Sequence, residues 1–123
     1  MSPAAFALVL SSVLLNAAAQ LCLKAGTRVM GTLEISASTL VTTAFNVAMQ
    51  PFILAGLACY VLSVAIWIVA LSRAEVSVAY PMLSIGYVVN AFAASWLFAE
   101  QLNAMRLSGI VIILIGVFVL ARS

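Results

Sequence analysis

Four long apolar blocks run through this chain, and charges fall only between them. Residues 1–23 carry no charge, and Lys24, Arg28 and Glu34 follow. Residues 35–72 are charge-free until Arg73 and Glu75. Residues 76–99 are charge-free until Glu100 and Arg106, and residues 107–121 until Arg122. The apolar runs are continuous, whereas a membrane β-barrel alternates apolar and polar positions. A helix of about 20 apolar residues crosses a hydrocarbon core. The pattern therefore predicts helices over about 3–24, 51–72, 76–99 and 104–121, in a single transmembrane domain over 1–123. Pro3 and Pro51 suit first-turn positions, where a missing N–H costs nothing. The first block imitates a signal peptide at Ala17-Ala18-Ala19, but no Lys or Arg precedes it. It reads as a true span. The expected fold is an all-α membrane protein, a bundle of four transmembrane helices with short antiparallel connections.

The stretch 36–50 has a different pattern. Thr39, Thr42, Thr43, Asn46 and Gln50 fall on one side of a 3.6-residue period, with Val41, Phe45, Ala48 and Met49 on the other. This predicts a short amphipathic helix lying in the membrane interface between helices one and two. A polar loop without a special role is the plainer alternative. Arg73 and Arg122 lie on the side of the N-terminus, and Lys24, Arg28 and Arg106 lie opposite. That near balance leaves the orientation open.

Composition narrows the chemistry. The chain has 123 residues, 67% hydrophobic and 7% charged, with 5 basic residues, 3 acidic residues and no histidine. Its mean hydropathy is +1.30. Soluble domains carry roughly 25% charged residues, so a soluble enzyme is excluded. Without His or an acidic cluster, neither a metal site nor any cofactor is expected. Cys22 and Cys59 sit inside apolar runs and read as small core residues. A net charge of +2 with no basic run gives no reason to expect nucleic-acid binding.

Polar residues inside the spans are the informative ones. Ser12, Asn16, Gln20 and Lys24 follow one another at intervals of four along helix one. They either bond to a neighbouring helix or line a path for a polar substrate. Helix three carries Ser77, Tyr80, Ser84 and Tyr87 on one face, with Asn90 close beside it. Pro81 removes a backbone hydrogen bond in that helix and Gly86 weakens it further, which predicts a hinge. Tyr80 serves equally well as an interfacial anchor. In helix two, Tyr60 and Trp67 can wall a pocket, while Gly56 and Ser63 permit close packing. In helix four, Gly109 and Gly116 share a face and predict a dimer interface. Lys24 and Arg28, one turn apart at the membrane edge, form a candidate phosphate site; the alternative is snorkelling to ordinary lipid headgroups. No Asp or Glu lies mid-span, so the usual device for proton-coupled cation binding is missing.

Several stretches resemble the small four-helix members of the drug/metabolite transporter superfamily. They are Asn16 to Lys24 with its Gln20-Leu21-Cys22-Leu23-Lys24, Val78-Ala79-Tyr80-Pro81-Met82-Leu83-Ser84, Phe98-Ala99-Glu100-Gln101-Leu102, and Gly109 to Gly116-Val117. The likeness covers nearly the whole chain except 25–50. Small multidrug resistance exporters are one branch. Their helix-one glutamate falls at Asn16 here, and a helix-three tryptophan falls at Leu83. The aminoarabinose-phosphoundecaprenol flippase subunits are the other branch, and Gln20-Leu21-Cys22, Lys24 and Ala79 to Ser84 resemble them more. That resemblance implies a protomer of the bacterial inner membrane that flips a polyprenyl-phosphate sugar for lipid A modification and polymyxin resistance. It also implies a homodimer or a heterodimer with a similar four-helix subunit, with lipids around it. On this reading Asn16, Gln20, Tyr80 and Ser84 would bond the sugar, Tyr60, Trp67 and Tyr87 would wall the cavity, and Lys24 and Arg28 would pair with the phosphate. The rivals are a small-solute or cationic-drug exporter and a non-transporting membrane partner. An enzyme is more remote, because no nucleophile–base pair is present.

Overall fold

The computed structural model describes residues 2–31, 33 and 36–123. Glu34, placed by its sequence in a connecting loop, lies outside them. The described residues are helical and connecting segments, with no strand among them. In chain order the helices are α1 (Pro3–Met30), α2 (Leu40–Met49), α3 (Pro51–Leu71), α4 (Val76–Ala79), α5 (Ser84–Phe98) and α6 (Ala104–Arg122). A 3₁₀ turn, Pro81–Leu83, joins α4 to α5, and the three pieces together make one span. Among the described residues, four segments are thus long and apolar enough to cross a membrane.

Helix boundaries follow from local chemistry. Ser2 caps α1, its hydroxyl accepting from the Ala5 amide at 3.1 Å, with Pro3 in the first turn. Gln50 caps α3, its Oε1 accepting from the Phe52 and Ile53 amides at 2.6 and 3.1 Å. Gln50 is therefore a cap and not part of the polar stripe of α2. Asn103 caps α6 through the Arg106 amide at 2.9 Å. At the end of α5, Ala99 turns left-handed with φ 56°, and the Glu100 N–H that follows donates to the Ala94 carbonyl at 3.4 Å.

Helix α1 runs to Met30, six residues beyond the expected end at 24. Charge at Lys24 marks the edge of the hydrocarbon, not the end of the helix, since Lys and Arg are good helix formers. Arg28 sits in the last turn, where a cation favours the dipole, and Gly31 ends the helix at φ 80°. A rise of ~1.5 Å per residue puts Lys24 about 32 Å from the first turn, at the far membrane edge.

Helix α1 is the centre of the bundle and packs mainly on α3 and α5. Small residues allow the α1–α3 approach. A Cβ on Gly56 would lie 2.9 Å from the Ala19 carbonyl oxygen, and one on Gly26 would lie 2.7 Å from Ile53. Ser12 is buried and donates to the Ser63 carbonyl of α3 at 2.7 Å. Packing is thus the outcome for Ser12, the first member of the helix-one stripe. The apolar core is Val9, Val13, Ala70, Ala79 and Met82, which ties α1 to α3, α4 and the 3₁₀ turn. In α6, by contrast, only Ile110 is buried. Helix α2 forms within the stretch 36–50 and keeps Val41, Phe45 and Met49 exposed along one side.

Candidate functional site

Just beyond the core cluster, α1, α3 and α5 part to leave a cavity of about 220 Å³. Val13, Asn16, Ala17 and Gln20 supply the α1 wall, and Tyr60 comes from α3. Leu83 of the 3₁₀ turn and Gly86, Tyr87 and Asn90 of α5 complete it. Gln20 Nε2 donates to Asn16 Oδ1 at 3.3 Å, so the two amides form one polar wall. Gln20, Tyr60 and Tyr87 are exposed and mark the mouth. Asn90 Oδ1 is buried and has no hydrogen-bond partner among the described residues.

The helix-one stripe enters this cavity because a four-residue step turns about 40° around a helix. Ser12 is therefore buried, Asn16 half-buried, Gln20 exposed at the mouth and Lys24 exposed beyond it. Gly86 contributes by what it lacks. It sits inside the continuous helix α5, and a Cβ there would lie 3.2 Å from the Val13 side chain. Its place is a close approach of α5 to α1, with no break in the helix at that point. The backbone interruption lies entirely at Pro81, and buried Met82 anchors it in the core.

Three expected cavity residues stand elsewhere. Trp67 packs against the core cluster. Tyr80 is exposed outside the lining. Ser84 is half-buried and also outside the lining. A 3₁₀ turn advances about 120° per residue against about 100° in an α-helix, so Pro81–Leu83 shifts the phase by about 60°. Tyr80 therefore leaves the face that Tyr87 shares with the cavity. The wall is instead Leu83, Gly86, Tyr87 and Asn90, spaced as one helix face, with Tyr87 at its edge and Ser84 beyond. Asn90 belongs to the wall and was absent from the expected cavity set. Its signal in the sequence is its place close beside the helix-three stripe, three residues after Tyr87.

Lys24, Thr27, Arg28, Gly31 and Leu33 line a shallow hollow of about 440 Å³ past the cavity mouth. Arg28 is already engaged: its Nη1 donates to the Leu97 carbonyl at 3.4 Å, and its guanidinium lies 5.5 Å from the Phe98 ring centre. It ties the end of α1 to the end of α5. On α6, a Cβ at Gly109 or Gly116 would meet nothing within 4 Å. Gly109 borders a mostly apolar hollow of about 290 Å³ against Ala91 and Ala94 of α5. Among the described residues no group of three or more His, Cys, Asp or Glu side chains is placed to hold a metal.

No family model and no solved structure matches the chain. Curated relatives do. The chain is 41% identical to the probable 4-amino-4-deoxy-L-arabinose-phosphoundecaprenol flippase subunit ArnF of Shewanella sediminis, over 94% of this chain and 86% of that one. It is 36% identical to the corresponding probable ArnF subunit of Aeromonas hydrophila, over 88% and 73%. It is 39% identical to the probable ArnE subunit of Pseudomonas syringae over 66 residues, 54% of this chain and 61% of that one. With four apolar spans and a polar cavity between them, this chain is a multi-pass membrane flippase protomer and belongs to the family of 4-amino-4-deoxy-L-arabinose-phosphoundecaprenol flippase subunits.

Proposed function

We propose that this protomer moves 4-amino-4-deoxy-L-arabinose-phosphoundecaprenol across the bacterial inner membrane, paired with a similar four-helix subunit, for lipid A modification. The observation that carries the reading is the polar cavity inside the apolar bundle, with cations just beyond its mouth. A phosphosugar cannot enter hydrocarbon unless other polar groups replace its water. Asn16, Gln20 and Asn90 offer amides to the sugar, and Tyr60 and Tyr87 wall it at the mouth. Lys24 pairs with the phosphate; Arg28 joins it while holding α5. Gln20 and Lys24 are one turn apart, about 6 Å along the axis, a spacing suited to a single phosphosugar. The prenyl tail stays in lipid beside the mouth. The protein makes and breaks no covalent bond.

Relatives of both ArnF and ArnE type support pairing with a second, similar subunit. The α6 face of Gly109 and Gly116, where a Cβ would meet nothing within 4 Å, supplies a surface for it. The absence of charge among the described lining residues speaks against the proton-coupled cation exporter, which needs a carboxylate among its cavity groups.

The test is to purify the protein from its native membrane and identify bound lipids by mass spectrometry, beside the variant Lys24→Ala/Arg28→Ala. A polyprenyl-phosphate species enriched in the wild type and lost in the variant is the expected result. Only bulk phospholipid, equal in both, would overturn the reading.

A further inference from the structure

We propose that Asn90 is the specificity residue of the cavity, its side-chain oxygen accepting a hydrogen bond from a protonated primary amine on the sugar. The proposal rests on the reading of the cavity as the sugar site. Asn90 lines the cavity, and its Oδ1 is buried without a partner among the described residues. Buried acceptors are nearly always paired. An unpaired one on a residue of the cavity wall, closed off as it stands, is left to pair with a donor that arrives with the ligand. The terminal torsion of an asparagine is soft, so the amide can turn its oxygen toward that donor.

The surroundings select the kind of donor. None of the described lining residues is charged, and Asn16 Oδ1 already accepts from Gln20. An incoming group must therefore satisfy Asn90 without a carboxylate to help. An ammonium brings three donors where a hydroxyl brings one, so it can bond Asn90 Oδ1 and still offer donors to other neutral acceptors. Tyr60 and Tyr87 add aromatic rings, whose faces attract cations. A neutral amide oxygen also suits transport. A carboxylate in this apolar setting would change its own charge with pH and hold an amine firmly, whereas an amide recognises the amine and lets it go.

Polarity along the bundle fits a dipolar head. Asn90 lies seven residues before Leu97, about 10 Å along α5, and Arg28 reaches the Leu97 carbonyl. Neutral acceptors thus stand deep and cations stand at the rim. An amine at one end of the head and a phosphate at the other match that order.

The experiment uses the full-length protein, with any partner that co-purifies, and native mass spectrometry. Three lipids are titrated: the aminoarabinose lipid, its isosteric 4-hydroxy counterpart, and undecaprenyl phosphate. The wild type is expected to favour the amine over the hydroxyl lipid about tenfold, or about 1.4 kcal/mol. Asn90→Leu and Asn90→Ala should bring that ratio to about one and leave undecaprenyl phosphate binding unchanged. Asn90→Asp should restore the amine preference. Thermal unfolding supplies a second readout: loss of an unpaired amide should leave the Asn90→Leu protein at least as stable as the wild type. An unchanged ratio in Asn90→Leu and Asn90→Ala would overturn the proposal and leave the flippase reading standing. If the wild type bound none of the three lipids, both would fall.

Discussion

Glycine at position 56 does the work of a contact by having no side chain. The Ala19 carbonyl oxygen stands 2.9 Å from where a Cβ would be, and backbone cannot step aside as a side chain can. Gly56→Ala should therefore push α3 off α1 and cost about 1–3 kcal/mol, the usual penalty of overpacking. Thermal unfolding in detergent measures it. Gly116→Ala is the control: its Cβ meets nothing within the protomer and Ala favours a helix over Gly, so the melting temperature should not fall. Equal losses at both positions would contradict the packing described. The same scale separates Ser12 from Asn16. One hydroxyl found a carbonyl on α3, while the amide one turn later found a cavity. Residue type announced that both needed partners, but not which partner each would meet.

Helix three is where element-scale geometry governs the site. Pro81 has no N–H, so the Ser77 carbonyl loses its helical partner, and the chain passes through a 3₁₀ turn before α5 resumes. Met82 in the core fixes the turn, while Leu83, the next residue, lines the cavity. A change of bend at Pro81 therefore moves a cavity wall directly. Pro81→Ala should restore a continuous helix and rotate Tyr87 and Asn90 by about 60° relative to α4. The rotation carries Gly86 off its close approach to Val13, so the protein should melt at a lower temperature, and transbilayer movement of the sugar lipid in reconstituted vesicles should slow several-fold. An unchanged rate would remove the turn from the mechanism. Proline in an apolar block made the interruption legible in sequence. The phase shift was not, because it depends on the number of residues that adopt the tighter turn.

At the scale of the whole molecule, the protomer is unevenly covered. Helix α1 packs on α3 and α5 along its buried side, and α6 stands apart with one buried residue. The two α6 glycines leave an open strip where another helix can come close. Gly109→Leu/Gly116→Leu should leave the isolated protomer folded but abolish its association with a second subunit. Cross-linking in native membranes and sizing in detergent read the result; association at the wild-type level would place the interface elsewhere. The cavity mouth, with Tyr60 and Tyr87 exposed, also opens outward from the protomer. Covering α6 and closing that mouth are separate tasks, since α6 contributes no residue to the cavity lining.

The sequence by itself determined the four apolar spans, the break at Pro81, the amphipathic α2 and the need of Asn16 and Gln20 for polar company. Each depends on local chemistry: backbone polar groups demand helices in hydrocarbon, proline lacks a donor, and amides cannot satisfy themselves there. The tertiary structure alone decided the membership of the cavity. It sent Trp67 to the core, left Tyr80 outside and brought in Asn90, because lining depends on the phase of α5 against α1. It also committed Arg28 to the end of α5, a contact between residues 69 positions apart in the chain. Spacing reveals which residues share a helix face; packing decides what that face meets.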